Sequence, residues 1–167
     1  ILSRLVGSEM CIRDSSMGGV IAQGMAGSEG VEVDKLILSS TFMGHGEPLA
    51  EPLQAGYISR LDDITSMSPE EFGKARAKSM LASPPSEEIF QEVAKIASEV
   101  KKSGLLSACE VLNYSDTSPF LKGFTKPVLI ITGRHDKIIL PTRSSKMAAY
   151  IADVQHIEFE NSGHAAY

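Results

Sequence analysis

The sequence predicts an α/β fold, in which helices flank a parallel sheet and a helical segment is inserted between two of its strands. Two short apolar runs, at 34–40 and 125–133, have the length and composition of strands that helices cover on both faces. A helix pattern at 141–154 follows the second run and leads to an alternating strand pattern at 155–160. Residues 43–124 contain only helix and turn signals, so the inserted segment lies there.

The first helix is predicted at 17–26, where apolar side chains recur as expected for a short buried helix. These apolar residues are Val20, Ile21, Ala22 and Met25. Gly27 and Gly30 follow, and glycine is a common residue at the end of a helix.

The two apolar runs and the elements after them predict a parallel strand, helix, strand unit. Pro127 comes directly before the apolar residues 128–131, and a proline fits only at the start of a strand because it has no N–H to donate. Pro141 stands at the first turn of the following helix, where a proline is favoured. Ile157 and Phe159 then alternate with polar residues, as in a strand.

Local signals also place helices in the inserted segment. Ser68 and Glu71 form a capping-box pattern, and Ser86 is predicted to cap a second helix. Turn signals at 83–85 and 115–119 separate these helices. Four apolar residues recur at spacings of four, three and four: Ile89, Val93, Ile96 and Val100. We expect this stripe to pack inside the segment, with the lining of a substrate pocket as the alternative.

Composition argues against two classes of partner. The 167 residues are 43% hydrophobic and 22% charged, which fits one domain with a sizeable core. The net charge of -5, with no basic run longer than Lys101–Lys102, argues against nucleic acid and anionic lipid as partners. No apolar run approaches the about 18 residues that span a bilayer, and the first residues lack the apolar centre of a signal peptide. We expect a cytoplasmic protein; its oligomeric state is left open.

No metal or cofactor is expected. Cys11 and Cys109 have neither metal-ligand spacing nor the density of a disulfide scaffold, and Cys109 is predicted to be a small core residue. His45, His135 and His156 have no supporting motif and receive no role.

Three motifs place reactive side chains next to predicted strands. SSMGG puts Ser16 before a glycine-rich helix start, GRHD puts Asp136 just beyond a strand, and NSGHAAY puts His164 beyond the last strand. In parallel α/β sheets such groups gather at the carboxyl ends of the strands. An imidazole can take the proton of a serine hydroxyl, and a buried carboxylate can fix the imidazole's tautomer. The motifs therefore predict a catalytic triad.

This order of residues resembles the α/β-hydrolase superfamily, most closely in KPVLIITGRHD and NSGH. Over residues 16–167 the resemblance implies a partial α/β-hydrolase fold that holds the last strands of the sheet. It implies Ser16 as nucleophile, with Asp136 and His164 as the other triad members. The backbone N–H of Met17 is implied as half of the oxyanion hole. The second donor comes in this family from a loop after an earlier strand, and no residue upstream of Ser16 supplies it.

The helical segment resembles the cap of carboxylesterases, 3-oxoadipate enol-lactonases and carbon-carbon bond hydrolases. The resemblance implies a small-molecule ester or lactone as substrate and an acyl-enzyme intermediate. Haloalkane dehalogenases are similar, but they carry an aspartate in place of Ser16. Four basic residues of the segment could meet an acidic substrate, although solvated surface charge is the expected role: Arg60, Lys74, Arg76 and Lys78.

Alternative interpretations stay open at this stage. An acyl-enzyme can end in transfer to another nucleophile, which would make the protein an acyltransferase, and a carbon-carbon bond hydrolase of the same fold is another alternative. A binding protein with the fold but without the chemistry is a third, although an intact triad speaks against it. Taken singly, Ser16 could cap a helix, Asp136 could stabilise a turn and His164 could lie in a surface loop.

The sequence divides into three predicted parts. Residues 16–42 and 125–167 are predicted to form the hydrolase core, and 43–124 the helical cap. Residues 1–15 are expected to be a non-native leader, because EMCIRDS resembles the translation of a transposon end used to make sequencing libraries. Asp14 also stands where the family has a glycine, and its charged side chain is expected to crowd the turn before Ser16.

Truncation is expected to impair the chain's activity. Losing one oxyanion donor typically lowers turnover by about 100 to 1000-fold. We therefore expect the 167-residue polypeptide to be inactive or nearly so. We also expect an unpaired edge on the sheet where earlier strands would lie.

Overall fold

A computed structural model of the chain describes residues 11–82 and 85–166, and within them four parallel strands form one sheet. The strands lie in the sheet in chain order: β1 (Cys11–Ser15), β2 (Lys35–Ser39), β3 (Val128–Gly133) and β4 (Val154–Phe159). The last three correspond to the predicted strands, and each pairs in parallel with its neighbour. The predicted α/β fold with a parallel sheet is therefore confirmed.

Helices account for most of the remaining described residues. They are α1 (Ser16–Ala26), α2 (Ala55–Ser66), α3 (Pro69–Met80), α4 (Glu87–Ser98), α5 (Lys102–Tyr114), α6 (Ser118–Gly123) and α7 (Pro141–Ala148). Helices α2 to α6 lie between β2 and β3, where the sequence predicts the inserted segment. The division of the chain into leader, core and cap stays a prediction. None of the described helices has the length and apolar character needed to cross a membrane.

Helix α7 is shorter than the sequence predicts. The helix pattern extends over 141–154, but the helix ends at Ala148. A turn follows, in which the N–H of Ile151 donates to the carbonyl of Ala148 at 3.1 Å, and the side chain of Ile151 enters the core. The helix has to end there because Val154 already pairs with Val128 in the sheet.

The main hydrophobic core lies at the centre of the sheet. Leu36 and Leu38 of β2 and Ile130 of β3 have no exposed surface. Met147 of α7 and Leu121 of α6 belong to the same cluster of buried side chains. Helices thus cover the central strands, which is why their sequences are almost wholly apolar.

The two outer strands are less buried. Ile157 and Phe159 of β4 are 44% and 43% exposed, because β4 forms one edge of the described sheet. Among residues 11–82 and 85–166, β1 forms the other edge of the sheet and its partner is β2. Arg13 and Asp14 of β1 are exposed, and an edge strand tolerates charges that a central strand does not.

Both predicted helix caps are confirmed. The Ser68 side chain accepts the Glu71 N–H at 3.3 Å, while the Glu71 carboxylate accepts the Ser68 N–H at 2.9 Å. At the start of α4, Ser86 Oγ accepts the N–H of Ile89 at 3.3 Å. These bonds satisfy backbone donors that the first turn of a helix leaves without a partner.

The apolar stripe of α4 does not form core packing, so the expectation for it is wrong. The buried residues of α4 are Ala94 and Ala97. Gly73 of α3 approaches the carbonyl of Ala94 so closely that a Cβ at position 73 would overlap it. Helix α4 thus turns its small residues toward α3. Three residues of the stripe keep large exposed fractions: Ile89 at 50%, Ile96 at 62% and Val100 at 43%.

A buried glutamine joins α1 to the inserted segment. Gln23 has no exposed surface, and its Nε2 donates to the carbonyl of Phe42 at 3.1 Å. Its Oε1 accepts the hydroxyl of Thr117 at 2.5 Å. Because both polar atoms of the amide are paired, the buried side chain costs little and fixes α1 against the residues that precede α6.

Substitution of Leu38 tests the position of the core. Leu38→Ala is expected to lower the free energy of unfolding by about 2 to 5 kcal/mol, since it leaves a cavity under the central strands. Urea denaturation followed by circular dichroism measures the change. Leu49→Ala is the matched control, because Leu49 is 83% exposed. Equal losses in the two variants would contradict this account of the core.

Candidate active site

The strand-to-helix turn places Ser16 in an unusual backbone conformation. Ser16 is the first residue of α1 and follows directly on β1, with a φ of 51° in the left-handed region. A serine adopts this region at a cost of about 1 to 3 kcal/mol, and such strain is typical of functional sites. Ser15, not Ser16, stands at the N-cap of α1. The interpretation of Ser16 as a simple helix cap is therefore wrong.

Close packing holds this turn in place. A Cβ at Gly19 would lie 2.7 Å from the side chain of Thr41, so α1 approaches the end of β2 only because residue 19 is a glycine. The hydroxyl of Thr41 donates to the carbonyl of Ser16 at 2.6 Å. Ser144 of α7 in turn donates to the carbonyl of Thr41 at 2.8 Å. Sequence reasoning missed both Thr41 and Ser144; the signal for Thr41 was a small polar residue just after a strand.

Asp14 fits beside the turn without the expected clash. Its side chain occupies the space that a Cβ of Gly18 would fill. Its Oδ1 also accepts the N–H of Ser15 at 2.8 Å. The expectation of crowding is wrong because Gly18 has no side chain to oppose the carboxylate.

Asp136 is oriented by the turn that follows β3. Its side chain is buried, with the residue 3% exposed. Oδ1 accepts the backbone N–H groups of Ile138 and Ile139 at 2.8 and 2.9 Å. These two donors satisfy Oδ1 and leave Oδ2 to face the histidine.

His164 lies in the loop beyond β4 and is 4% exposed, so the interpretation as a surface-loop histidine is wrong. Its own N–H donates to the carbonyl of Met80, the last residue of α3, at 2.6 Å. Gly163 permits this approach, because a Cβ there would lie 2.5 Å from the same carbonyl oxygen. Sequence reasoning missed the anchoring role of Met80.

The three predicted side chains meet in one chain of hydrogen bonds. His164 Nδ1 lies 2.8 Å from Asp136 Oδ2, and His164 Nε2 lies 3.0 Å from Ser16 Oγ. A carboxylate at Nδ1 favours the tautomer with its proton there, which leaves Nε2 to accept the serine proton. The arrangement can activate a hydroxyl as a nucleophile. The catalytic roles of the three residues stay predictions.

Met17 carries the predicted oxyanion donor, and this role stays a prediction. It follows Ser16 in the first turn of α1, where backbone N–H groups have no acceptor within the helix. Its side chain packs against a second cluster of buried residues, which includes Val20 and Cys109.

Cys109 has no exposed surface, so its prediction as a core residue is confirmed, and burial raises the pKa of its thiol. The upstream residues 1–10 lie outside the described residues.

The other histidines take no part in this chain of hydrogen bonds. His45 Nδ1 lies 2.9 Å from Gln54 Nε2, and burial together with the charge of Arg143 lowers the pKa of His45. His156 Nε2 lies 3.0 Å from the hydroxyl of Thr132 on β3. Across residues 11–82 and 85–166, no group of three histidine, cysteine or carboxylate side chains could hold a metal ion.

The fold and the site together define a class of protein. Residues 15–167 match the family model described as alpha/beta hydrolase fold, and the match covers most of the chain. The chain therefore belongs to the α/β-hydrolase family. It is similar to the AB hydrolase superfamily protein YisY of Bacillus subtilis (strain 168), with 30% identity over 161 residues, 91% of this chain and 58% of YisY.

Solved structures resemble the chain over nearly its whole length. An esterase from Exiguobacterium antarcticum gives a TM-score of 0.82 at 22% identity, covering 98% of this chain and 63% of the esterase. An enol-lactonase from Burkholderia xenovorans LB400 gives 0.77 at 20% identity, covering 97% of this chain and 60% of the lactonase. At these identities the likeness shows the fold alone. The chain spans less than two thirds of the length of YisY and of both enzymes.

Two glycines of α1 test the packing behind Ser16. Gly19→Ala is expected to destabilise the protein by about 1 to 3 kcal/mol, because the added methyl group meets Thr41. Gly24→Ala in the same helix is the matched control, since nothing lies within 4 Å of a Cβ there. The control is expected to stabilise by up to about 1 kcal/mol, because alanine favours helices. Thermal unfolding measures the change in stability of each variant. A change of the same sign in both variants would contradict the close packing at Gly19.

Proposed function

We propose that the whole protein is a serine hydrolase that cleaves a small carboxylic ester or lactone through an acyl-enzyme. The observation that carries the proposal is the hydrogen-bond chain from Ser16 Oγ through His164 to Asp136, with contacts of 3.0 and 2.8 Å. Serine alone is a weak nucleophile, and a base within hydrogen-bond reach is what activates it. Family membership supports a hydrolase in general. The two hydrogen-bond distances favour a serine nucleophile among the mechanisms that hydrolases use.

The first half-reaction forms the acyl-enzyme. Ser16 Oγ attacks the carbonyl carbon of the substrate while His164 Nε2 takes the hydroxyl proton. The carbonyl oxygen becomes an oxyanion, to which the N–H of Met17 donates. The intermediate collapses when His164 returns the proton to the leaving alkoxide, which departs as an alcohol. In a lactone the alcohol stays tethered to the acyl group.

The second half-reaction regenerates the serine. A water molecule gives a proton to His164 Nε2 and its oxygen attacks the acyl carbon. The second tetrahedral intermediate collapses, Ser16 takes back a proton and a carboxylic acid leaves. Asp136 keeps the imidazole oriented and stabilises its charged form in both halves, because its own position is fixed by the N–H groups of Ile138 and Ile139.

The choice of ester or lactone rests on the neighbours and on the nucleophile. The solved structures similar to this chain include enzymes named as an esterase and an enol-lactonase. Both ester and lactone carry an acyl carbon that a serine can attack and an alkoxide that a histidine can protonate. These names support the proposed substrate class.

Covalent labelling tests the nucleophile. A fluorophosphonate probe is expected to react slowly with Ser16 in this chain, and Ser16→Ala is expected to abolish the adduct located by mass spectrometry. Ser15→Ala is the matched control, because Ser15 is adjacent and makes no side-chain capping bond. An adduct that persists in Ser16→Ala, or one that maps to another residue of the wild-type chain, would contradict the proposed nucleophile.

Turnover tests the expected weakness of the chain itself. Hydrolysis of a nitrophenyl ester is expected to run at about 1% or less of the rate of an intact serine esterase, since one missing oxyanion donor costs about 100 to 1000-fold. A rate comparable with the intact enzyme, together with fast labelling of Ser16, would contradict this expectation.

A further inference from the structure

A large cavity lies between the helices of the inserted segment, beside the loop beyond β4 that carries His164. This loop is called the histidine loop below. The volume of the cavity is about 550 Å³, and α2, α3, α4 and α5 supply its walls. Most of its lining is apolar and includes Phe72, Val93, Ile96 and Leu105. Two arginines, Arg60 and Arg76, also line it. This cavity is called the arginine pocket below.

The arginine pocket adjoins the proposed catalytic residues. Met80, whose carbonyl accepts the N–H of His164, lines the pocket together with Ala165. Leu105 lines it from the opposite helix and packs in the same side-chain cluster as Met17. A molecule in the pocket therefore has the residue that follows His164 on one side, and on another a leucine whose side-chain cluster also contacts Met17.

The two arginines lack the partners that surface cations have. Among the described residues, neither Arg60 nor Arg76 has an ion pair or a side-chain hydrogen bond; Arg60 lies 5.8 Å from the centre of the Tyr57 ring. Lys74, also on α3, is bonded to Glu70 at 2.6 Å. The expectation of solvated surface charge thus holds for exposed Lys74 and Lys78 and is wrong for these two half-buried arginines.

The charges around the pocket leave it positive. Burial, with the nearby charge of Arg60, lowers the pKa of Arg76 to about 10, so the guanidinium is still charged at neutral pH. The charge of Asp63, which does not line the pocket, raises the pKa of Arg76. The acidic residue of the lining is Glu92. Glu92 is exposed, so solvent screens its charge more than those of the half-buried arginines.

Such a site suits a ligand that has an apolar body and one anionic group. The apolar walls favour a hydrocarbon body. An arginine can hold a carboxylate through two parallel N–H···O bonds, and partial burial strengthens such charge-assisted bonds. The ligand's charge would also offset the repulsion between the two guanidinium groups.

We infer that the arginine pocket binds a carboxylate group of the substrate, so that the protein acts on esters or lactones that carry a second, free carboxylate. This inference rests on the proposed function for the ester-cleaving step, but the binding of a carboxylate depends on Arg60 and Arg76 and not on Ser16. The pocket holds the carboxylate away from the chain of hydrogen bonds, and the reacting carbonyl lies toward Ser16.

Binding of a carboxylate and of its neutral isostere tests the inference. The chain is titrated with phenylbutyrate and with phenylbutyramide in separate calorimetric experiments. Wild-type chain is expected to bind the carboxylate more tightly than the amide. Arg76→Gln is expected to weaken carboxylate binding about tenfold, because a charge-assisted bond is lost, and to leave amide binding unchanged. Arg60→Gln should act in the same direction.

Lys78→Gln is the matched control, since Lys78 is an exposed cation on the same helix and lies outside the pocket. It is expected to change carboxylate affinity by less than about twofold, as expected for a screened surface charge. Circular dichroism establishes that each variant folds, and Arg60→Gln replaces Arg76→Gln if the latter does not. Equal affinity for carboxylate and amide, no saturable carboxylate binding, or equal losses in the lysine and arginine variants would overturn the inference.

The same titration separates this inference from the proposed function. Ser16→Ala is expected to bind phenylbutyrate as wild-type chain does. Carboxylate binding together with a probe adduct that persists in Ser16→Ala would overturn the proposed function alone, and labelling of Ser16 without carboxylate binding would overturn the pocket assignment alone.

Discussion

The buried contact between His164 and Asp136 is the interaction on which the rest of the site depends. Both residues are almost fully removed from solvent, at 4% and 3% exposed. A carboxylate in such a place is stable only if its oxygens are satisfied, and here two backbone N–H groups hold one oxygen while the imidazole holds the other. The contact therefore fixes the turn after β3 against the loop after β4. Ser16, 148 positions away from His164 in sequence, is delivered to this pair by the turn between β1 and α1.

Glycines at close approaches make that delivery possible. Gly19 lets α1 lie against Thr41, and Gly163 lets the histidine loop lie against the end of α3. At Gly133 a Cβ would overlap the carbonyl of Gly163, so the end of β3 and the histidine loop are also in direct backbone contact. Backbone segments that pack this closely have few alternative positions, and rigid support of this kind keeps reacting groups within a narrow range of distances.

Much of this arrangement could be predicted from the sequence because its signals are local. The runs around Leu38 and Ile130 are apolar since both faces of the central strands are covered, and Ser68 with Glu71 carries its own helix start. The residues brought together at the site each follow a recognisable strand or precede a helix. Other features could not be predicted from the sequence because tertiary contacts determine them. Strand pairing sets the end of α7, and the missing side chain of Gly18 makes room for Asp14. Periodicity revealed one face of α4 but not what that face meets, and no pattern in sequence separates the half-buried Arg76 from exposed Lys78.

The bond from the His164 N–H to the Met80 carbonyl joins the wall of the arginine pocket to the residue proposed as the catalytic base. The carboxyl end of α3 and the imidazole thus belong to one mechanical unit. An outward movement of that helix end is expected to shift the main chain of His164 and to lengthen the contact between His164 Nε2 and Ser16 Oγ. If the proposals for the site and the pocket hold, the Met80 carbonyl, which accepts the N–H groups of His164 and Ala165, supports both recognition and proton transfer, so a molecule that displaces this helix end is expected to react more slowly as well as to bind more weakly.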